Sequence, residues 1–129
     1  MLNCFHQREI KVSQPEMEVD SNGTKRWYLN DKLHCKDGPA IEYPDGTKGW
    51  WLNGKLHRED GPAVEYTDGT KQWLLNGKLH REDGPAVEYP DGTKRWLLNG
   101  KEVSWEQVFR QAKTPEIELR ILSAALTNP

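Results

Sequence analysis

The heptapeptide Asp-Gly-Pro-Ala-Val-Glu-Tyr at residues 60–66 decides the fold, because it recurs at a fixed step. It stands again at residues 83–89, and residues 37–43 repeat it with Ile in place of Val, so both steps are 23 residues. Other residue types keep this step, namely Trp27, Trp50, Trp73 and Trp96; Leu29, Leu52, Leu75 and Leu98; and His34, His57 and His80. A period of this length indicates a repeat protein whose copies bury apolar surface against one another.

Each copy carries two turn signals, one on either side of a short segment of alternating residues. In the third copy these are Asp68-Gly69 and Asn76-Gly77, which flank residues 70–75. Such pairs favour type I′ hairpin turns, because both central residues of that turn need a positive φ. We therefore predict a mainly β fold: an elongated antiparallel meander of β-hairpin repeats with about eight strands. The proline of each Asp-Gly-Pro element predicts a bulge or bend, since proline cannot donate to a ladder.

The repeat divides the chain into three regions. We assign residues 1–15 to an N-terminal segment, residues 16–103 to about four repeats, and residues 104–129 to a helical cap that covers the open edge of the last hairpin. Apolar residues recur at helical spacing after the last repeat, at Trp105, Val108, Phe109 and Ala112. The cap is therefore expected to contain two short α-helices.

Two start signals define these helices. Ser104 with Gln107 has the spacing of a capping box. Thr114 followed by Pro115 has the residue types of an N-cap and a first helical position. We therefore expect one helix to begin after Ser104 and the second after Thr114.

Composition narrows the function classes. The 129 residues include 18 basic and 20 acidic side chains, and this net charge of −2 disfavours nucleic acid as a partner. Because no apolar stretch approaches the about 20 residues that span a bilayer, and no leader is evident, we predict a cytoplasmic protein without a membrane partner. Two cysteines, Cys4 and Cys35, are too few for a disulfide framework, and we expect both thiols to be reduced.

Residues 16–103 resemble MORN-type β-hairpin repeats, and more closely the variant seen in YwqK-type antitoxin proteins, in which aromatic residues and Asn-Gly or Asp-Gly turns recur at about this period. The run Asn-Gly-Lys-Leu-His-Arg-Glu-Asp-Gly-Pro-Ala at residues 76–86 is also similar to repeats of tailed phages and large DNA viruses. The resemblance implies an elongated interaction scaffold without catalytic residues, and a role in neutralising another protein. Its His and Asp-Gly-Pro positions depart from the MORN pattern, which weakens the implication of phospholipid binding.

The regularly spaced aromatic residues are the candidate partner surface. Contiguous exposed aromatic residues with arginine typify binding hot spots. On this basis we predict a partner-binding set of Arg26, Tyr28, Trp50, Trp51, Trp73, Arg95 and Trp96. The alternative is that the tryptophans stack on one another from copy to copy and form core. Strand alternation places Trp73 and Leu75 on one face and Leu74 on the other, so the two faces can differ in this respect.

The repeated histidines each stand three residues before an aspartate, as His57 does before Asp60. One such pair would suggest acid–base catalysis, but three equivalent pairs favour a structural hydrogen bond from each histidine to the aspartate or to a turn carbonyl. The set Cys4, His6, His34 and Cys35 has the residue types of a zinc site without the usual spacing. We therefore predict no catalytic residues, no metal and no cofactor.

These observations predict a non-catalytic protein-interaction module. The resemblance implies that it is a phage-encoded inhibitor or antitoxin-like neutraliser of a host protein, acting in the host cytoplasm. The alternative is an aromatic platform that stacks a nucleotide or a sugar. The open strand edge at residues 17–20 also permits a homodimer through sheet extension.

Overall fold

The computed structural model describes residues 14–127. Its strands are β1 (Glu16–Val19), β2 (Lys25–Leu29), β3 (Lys32–Leu33), β4 (Ile41–Glu42), β5 (Lys48–Gly49), β6 (Trp51–Leu52), β7 (Lys55–Leu56), β8 (Val64–Glu65), β9 (Lys71–Gln72), β10 (Leu74–Leu75), β11 (Lys78–Leu79), β12 (Val87–Glu88), β13 (Lys94–Arg95), β14 (Leu97–Leu98) and β15 (Lys101–Glu102). Two helices follow, α1 (Trp105–Arg110) and α2 (Pro115–Leu126). The predicted antiparallel meander with two short C-terminal helices is confirmed.

Most of these strands belong to one sheet. Its order is β1-β2-β4-β5-β8-β9-β12-β13, and β3 pairs with β2 beside this path. The remaining strands form three separate hairpins, β6-β7, β10-β11 and β14-β15. Each of the three later copies therefore has one Asn-Gly hairpin outside the main sheet, whereas the equivalent strand β3 of the first copy pairs with β2 of the main sheet.

In the three later copies, the chain leaves the main sheet at the tryptophan. Trp73 N–H donates to the Ala86 carbonyl at 2.8 Å, and the Trp73 carbonyl accepts from His80 N–H at 2.9 Å. Residues before Trp73 pair in the main sheet, while residues after it pair within the β10-β11 hairpin. The single short arm predicted for each copy is thus divided between two sets of strands.

The two kinds of turn differ in conformation. At Asn76-Gly77 both residues have positive φ, 52° and 81°, which confirms the type I′ turn. At the Asp-Gly turns only the glycine does: Gly69 has φ 100° and donates to the Tyr66 carbonyl at 3.0 Å. This is a three-residue loop with a bulge at glycine, and the type I′ prediction is wrong here. Asp68 instead accepts from Thr70 N–H at 2.8 Å and closes the loop with its side chain.

A row of opposed lysines and glutamates crosses the main sheet. Directly paired positions alternate in charge, and they are Lys25 with Glu42, Glu42 with Lys48, Lys48 with Glu65, Glu65 with Lys71, Lys71 with Glu88, and Glu88 with Lys94. Cross-strand pairs of opposite charge contribute about 0.2–1 kcal/mol each. The row therefore favours the observed register at every step of the repeat.

The core is a series of small clusters between the main sheet and the Asn-Gly hairpins. In the third copy, Ala63 and Val64 of the sheet segment pack with Leu74 of the β10-β11 hairpin. The first cluster contains Trp27, Cys35 and Ala40. Cys35 is disulfide-bonded, so the expectation of a reduced thiol is wrong for this residue. Cys4 lies outside the described residues.

Three loops connect the Asn-Gly hairpins back to the main sheet: loop 1 (34–39), loop 2 (57–62) and loop 3 (80–85). They occupy the positions at which we expected a bulged strand, and none of their residues is in a strand. A fourth loop is missing, because Val103 stands at the histidine position and the chain continues into α1.

The helices pack beside loop 3. Arg120 of α2 donates to Asp83 Oδ2 at 2.8 Å, and Ile121 is completely buried. The predicted capping box at Ser104 and the Thr114 N-cap are both confirmed. Among the described residues, α2 is the longest helix with 12 residues, and neither helix is long and apolar enough to cross a membrane.

Candidate partner-binding site

Loops 2 and 3 each fold around an arginine that covers a tryptophan. The guanidinium carbon of Arg58 lies 3.9 Å from the centroid of the Trp50 ring, and that of Arg81 lies 3.8 Å from the Trp73 ring. These are cation–π contacts at close range. Within the described residues, the rings of Trp50 and Trp73 contact arginine in place of the tryptophan-on-tryptophan stacking that we expected.

Hydrogen bonds fix the arginine in each loop. Arg81 Nε donates to Asp83 Oδ1 at 2.8 Å, and Arg81 Nη1 donates to the Pro85 carbonyl and to Glu88 Oε2, both at 3.1 Å. Arg58 repeats this pattern with Asp60, Pro62 and Glu65 at 3.0, 3.1 and 3.3 Å. One side chain therefore links its loop to a tryptophan and to a glutamate of the main sheet.

The glycine of the Asp-Gly-Pro element lies close to this arginine in loops 2 and 3. A Cβ atom placed on Gly84 would lie 2.8 Å from Arg81 Cζ, and one on Gly61 would lie 2.9 Å from Arg58 Cζ. Both distances are shorter than van der Waals contact. The guanidinium therefore lies between the tryptophan ring and the glycine backbone.

The histidines join consecutive copies. His57 Nδ1 accepts from the backbone N–H of Asn76 at 2.9 Å, and His80 Nδ1 accepts from Asn99 N–H at the same distance. His34 accepts from Asn53 N–H at 3.0 Å. The predicted structural hydrogen bond of each histidine is present, but its partner is a turn N–H of the next copy and neither the aspartate nor a turn carbonyl.

The second ring nitrogen contacts a glutamate in the same loop. His57 Nε2 lies 3.1 Å from Glu59 Oε2, and His80 Nε2 lies 3.0 Å from Glu82 Oε2. Since Nδ1 accepts a hydrogen bond, the neutral ring carries its proton on Nε2 and donates it to the glutamate. Neither nitrogen of these two rings is free to take a proton from a substrate.

One ionisable side chain in loop 1 and one in loop 3 have shifted pKa values. Burial lowers the pKa of His34, and the charge of Lys36 adds to this effect. For Asp83, burial acts to raise the pKa, but hydrogen bonds and charges from Arg81 and Arg120 outweigh it and the pKa is lowered. Asp83 therefore holds its negative charge between two arginines.

Grooves lie between consecutive loops. The groove between loops 2 and 3 has a volume of about 700 Å³ and is lined by Trp73, Leu75 and His80, with Ile117 and Arg120 of α2 at one side. The groove between loops 1 and 2 has about 360 Å³ and is lined by the equivalent Trp50, Leu52 and His57. The same apolar and imidazole groups thus recur in both grooves.

The outer edges of these grooves are acidic. The side chains of Glu59 and Asp60 are 80% and 88% exposed, whereas the arginine between them and the tryptophan is 23% exposed. In loop 3 the Glu82 side chain is 53% exposed. A molecule that approaches the loops meets carboxylates first and the covered tryptophans beneath them.

The structure does not bring the seven predicted site residues onto one surface. Trp50 and Trp73 line the two grooves, whereas Trp51 packs against the first core cluster. Arg26 is paired with Asp20 at 2.8 Å, and Arg95 donates to Glu102 at 2.7 Å.

The remaining two residues are also apart from the loops. Tyr28 lines a depression beside β1, together with Glu16 and Glu18. Trp96 is half-buried, and Ser104 stands where the earlier copies have the arginine. The face opposite Trp73 and Trp96 is core in later copies, because Leu74 and Leu97 are only 7% and 2% exposed.

Sequence reasoning missed Arg58 and Arg81. A signal was present, since each arginine stands eight residues after the tryptophan and three before the glycine that it contacts. The first copy has Cys35 at this position, so the spacing recurs in two copies only.

Residues 14–127 contain no cluster of three or more metal-ligating side chains. Of the candidate zinc set, Cys4 and His6 lie outside that range. Comparison with protein-family models, with curated proteins and with solved structures finds no match for this chain.

Proposed function

We propose that this protein is a non-catalytic interaction module that binds another protein through loops 2 and 3 and the grooves beside them. The observation that carries the proposal is the repetition of one groove, with tryptophan, leucine and histidine at equivalent positions and acidic rims above. Aromatic side chains beside fixed charged groups are the usual composition of protein-binding hot spots.

The state of the histidines supports a non-catalytic role. His57 and His80 use both ring nitrogens in hydrogen bonds within the protein. A general base needs a nitrogen within reach of a substrate proton. Replacing both histidines by alanine in a folded protein is therefore expected to remove no chemical activity.

The effect on the partner is proposed to be inhibition, as in the antitoxin-like and phage repeats that the sequence resembles. This part of the proposal rests on the resemblance alone, as do a phage origin and action in the host cytoplasm. A rigid row of loops is suited to such a role, because little conformational entropy is lost when preformed grooves bind.

Charge reversal on the loop rims tests the binding site. A partner is first isolated by cross-linking to the full chain in lysate of the source cell, and its affinity is then measured by calorimetry. Replacing Glu59 and Glu82 by lysine is expected to weaken binding at least tenfold, because both carboxylates line the groove between loops 2 and 3. Replacing Glu16 and Glu18 of exposed β1 by lysine is the matched charge control and leaves affinity unchanged. Loss of affinity with the β1 variant alone would move the site to the strand edge.

The alternative ligand is a nucleotide or sugar stacked on tryptophan. The groove of about 700 Å³ has a volume typical of small-molecule sites, which favours this candidate. The position of Arg81 disfavours it, because the guanidinium already covers one face of the Trp73 ring. Calorimetry against nucleotide and glycan panels separates the two, since saturable binding of a small ligand in the groove would support the alternative.

A further inference from the structure

We propose that the contacts from His57 and His80 to the next copy are acid-sensitive joints, which release the following Asn-Gly turn when the histidines become protonated. This goes beyond the binding role proposed above, because it concerns the free protein. The proposal rests on the finding that Nδ1 of each imidazole ring accepts a hydrogen bond.

The hydrogen bond to the next copy requires that Nδ1 of the histidine carries no proton. Asn76 N–H points at His57 Nδ1 and Asn99 N–H points at His80 Nδ1, both at 2.9 Å. Protonation places a hydrogen on Nδ1, so two N–H donors then face each other and the bond is lost. The same protonation strengthens the contact from Nε2 to Glu59 or Glu82, which becomes an ion pair.

The two contacts of each ring therefore respond to acid in opposite directions. The bond within the loop gains strength, while the bond to the next copy disappears. The side chains of His57 and His80 are only 13% and 10% exposed, whereas Asn76 and Asn99 are exposed, so water can reach the turn N–H once the bond is lost.

The charged groups around both rings are of mixed sign. Those around His57 are its own loop's Arg58, Glu59 and Asp60, together with Lys36 and Asp37 of loop 1. Those around His80 are Arg81, Glu82 and Asp83 of its own loop, Arg58, Glu59 and Asp60 of loop 2, and Arg120 of α2. Among these groups, the carboxylates of Glu59 and Glu82 contact Nε2 of the two rings.

Other bonds hold the copies together when the joint opens. Gly77 N–H donates to the Leu56 carbonyl at 2.8 Å, and Arg58 N–H donates to the Leu74 carbonyl at 3.1 Å. These backbone bonds do not titrate. Acid is therefore expected to loosen the turn at Asn76 without separating the two copies.

Amide hydrogen exchange on the free, ¹⁵N-labelled full chain tests the proposal between pH 8 and pH 5. At pH 8 the imidazole ¹⁵N shifts should show a proton on Nε2 of both rings. As the pH is lowered, protection of the Asn76 and Asn99 amides, corrected for intrinsic exchange, is expected to fall in step with the protonated fraction that the imidazole ¹⁵N shifts report. The Arg58 amide, which donates to the Leu74 carbonyl outside the turn, is the internal control and keeps its protection.

Two results would overturn the proposal. One is constant protection of Asn76 and Asn99 through the whole histidine titration. The other is loss of Asn76 protection together with that of the core amide of Ala86, which donates to the Arg95 carbonyl, because that would be global unfolding.

A single variant gives a second test. In His57→Gln the side-chain oxygen can still accept from Asn76 N–H but cannot be protonated in this range. Asn76 protection is then expected to be independent of pH, while Asn99, next to the unchanged His80, still responds. A pH-dependent loss at Asn76 in His57→Gln would contradict the assignment to the imidazole. Because no partner is present, the outcome is independent of the proposed binding function.

Discussion

Loop 1 and loop 2 differ at only two of six positions, yet the tryptophans beside them lie in different environments. Loop 1 has Cys35 and Lys36 where loop 2 has Arg58 and Glu59. Trp27 of the first copy is 3% exposed and belongs to a core cluster with Cys35, whereas Trp50 is half-buried beneath Arg58. A tryptophan at this repeat position is thus covered either by core packing or by an arginine from its own loop.

The comparison separates a copy whose tryptophan is core from two copies whose tryptophan lines a groove. In the first copy the tryptophan stabilises the fold and is not available for contacts. In the second and third copies the arginine covers one face of the tryptophan ring and lies against the glycine backbone. The ring therefore stays partly exposed in the groove beside the loop. The change from cysteine to arginine is therefore the step that opens a surface in an otherwise uniform repeat.

The largest expected effect contrasts two tryptophans. Trp27→Ala should cost about 3–5 kcal/mol of unfolding free energy, as for other buried tryptophans. Trp73→Ala should cost about 1–2 kcal/mol, because its side chain is only half-buried and loses mainly the arginine contact. Denaturant titration of both variants measures the difference. Equal costs would show that the third copy is packed like the first.

The next effect concerns the arginine between ring and glycine. Arg81→Ala should cost about 1–2 kcal/mol, since it removes the guanidinium from Trp73 and from Glu88. Gly84→Ala should cost less, because the guanidinium at the end of a flexible side chain can move aside. The double variant should cost scarcely more than Arg81→Ala alone, because both changes act on one interaction. Additive costs in this cycle would mean that Gly84 acts on its own backbone and not through Arg81. The equivalent cycle at Arg58 and Gly61 serves as the matched comparison.

A smaller effect is expected where α2 meets loop 3. Arg120→Gln should lower stability by less than about 1 kcal/mol, because Arg120 and Asp83 are both partly exposed to solvent. The pKa of Asp83 should rise in this variant, since one of its two arginines is lost. Thermal unfolding at low and high salt should give a difference that shrinks with salt and vanishes in acid once Asp83 is protonated. A difference insensitive to salt would assign the contact to packing instead.

The smallest effect concerns Lys36, the second position at which loop 1 differs from loop 2. Burial and Lys36 lower the pKa of His34, so the folded state binds fewer protons than the unfolded state and loses stability as pH falls below about 6.5. Lys36→Glu, which copies loop 2, should raise this pKa and reduce the loss in acid. An NMR titration of His34, with His80 as the unchanged reference, measures the direction. An unchanged or lower pKa would show that burial alone governs His34.

Local sequence signals were sufficient where one residue determines the backbone. Asn-Gly predicted the type I′ turns, because asparagine and glycine tolerate positive φ, and Ser104 and Thr114 predicted both helix starts. The Asp-Gly turns were predicted wrongly, because the aspartate side chain bonds two residues ahead and keeps its own φ negative. The same dipeptide rule therefore holds for one turn of the repeat and fails for the other.

Features that depend on distant partners could not be predicted. Two-residue alternation does not reveal that the chain changes partners at Trp73, because both halves remain extended. The histidine partner was missed for a similar reason: Asn76 is 19 residues away from His57, and only the stacking of copies brings its N–H to the ring. The candidate site lies in a loop whose shape depends on one arginine, and a single sequence does not show that its guanidinium folds back.

The row of opposed lysines and glutamates has a consequence for how the chain reaches its native alignment. Each copy offers the next an equivalent edge, so a strand that pairs one whole copy too far along still meets an opposite charge. A chain that has slipped by one copy is destabilised only at the two ends of the repeat array. The atypical first copy, the Arg120 contact and the missing fourth loop each occur once, so no other copy can replace them. The irregular ends therefore select one alignment among several that the uniform middle would accept, and shortening either end should favour exchange of copies between neighbouring molecules.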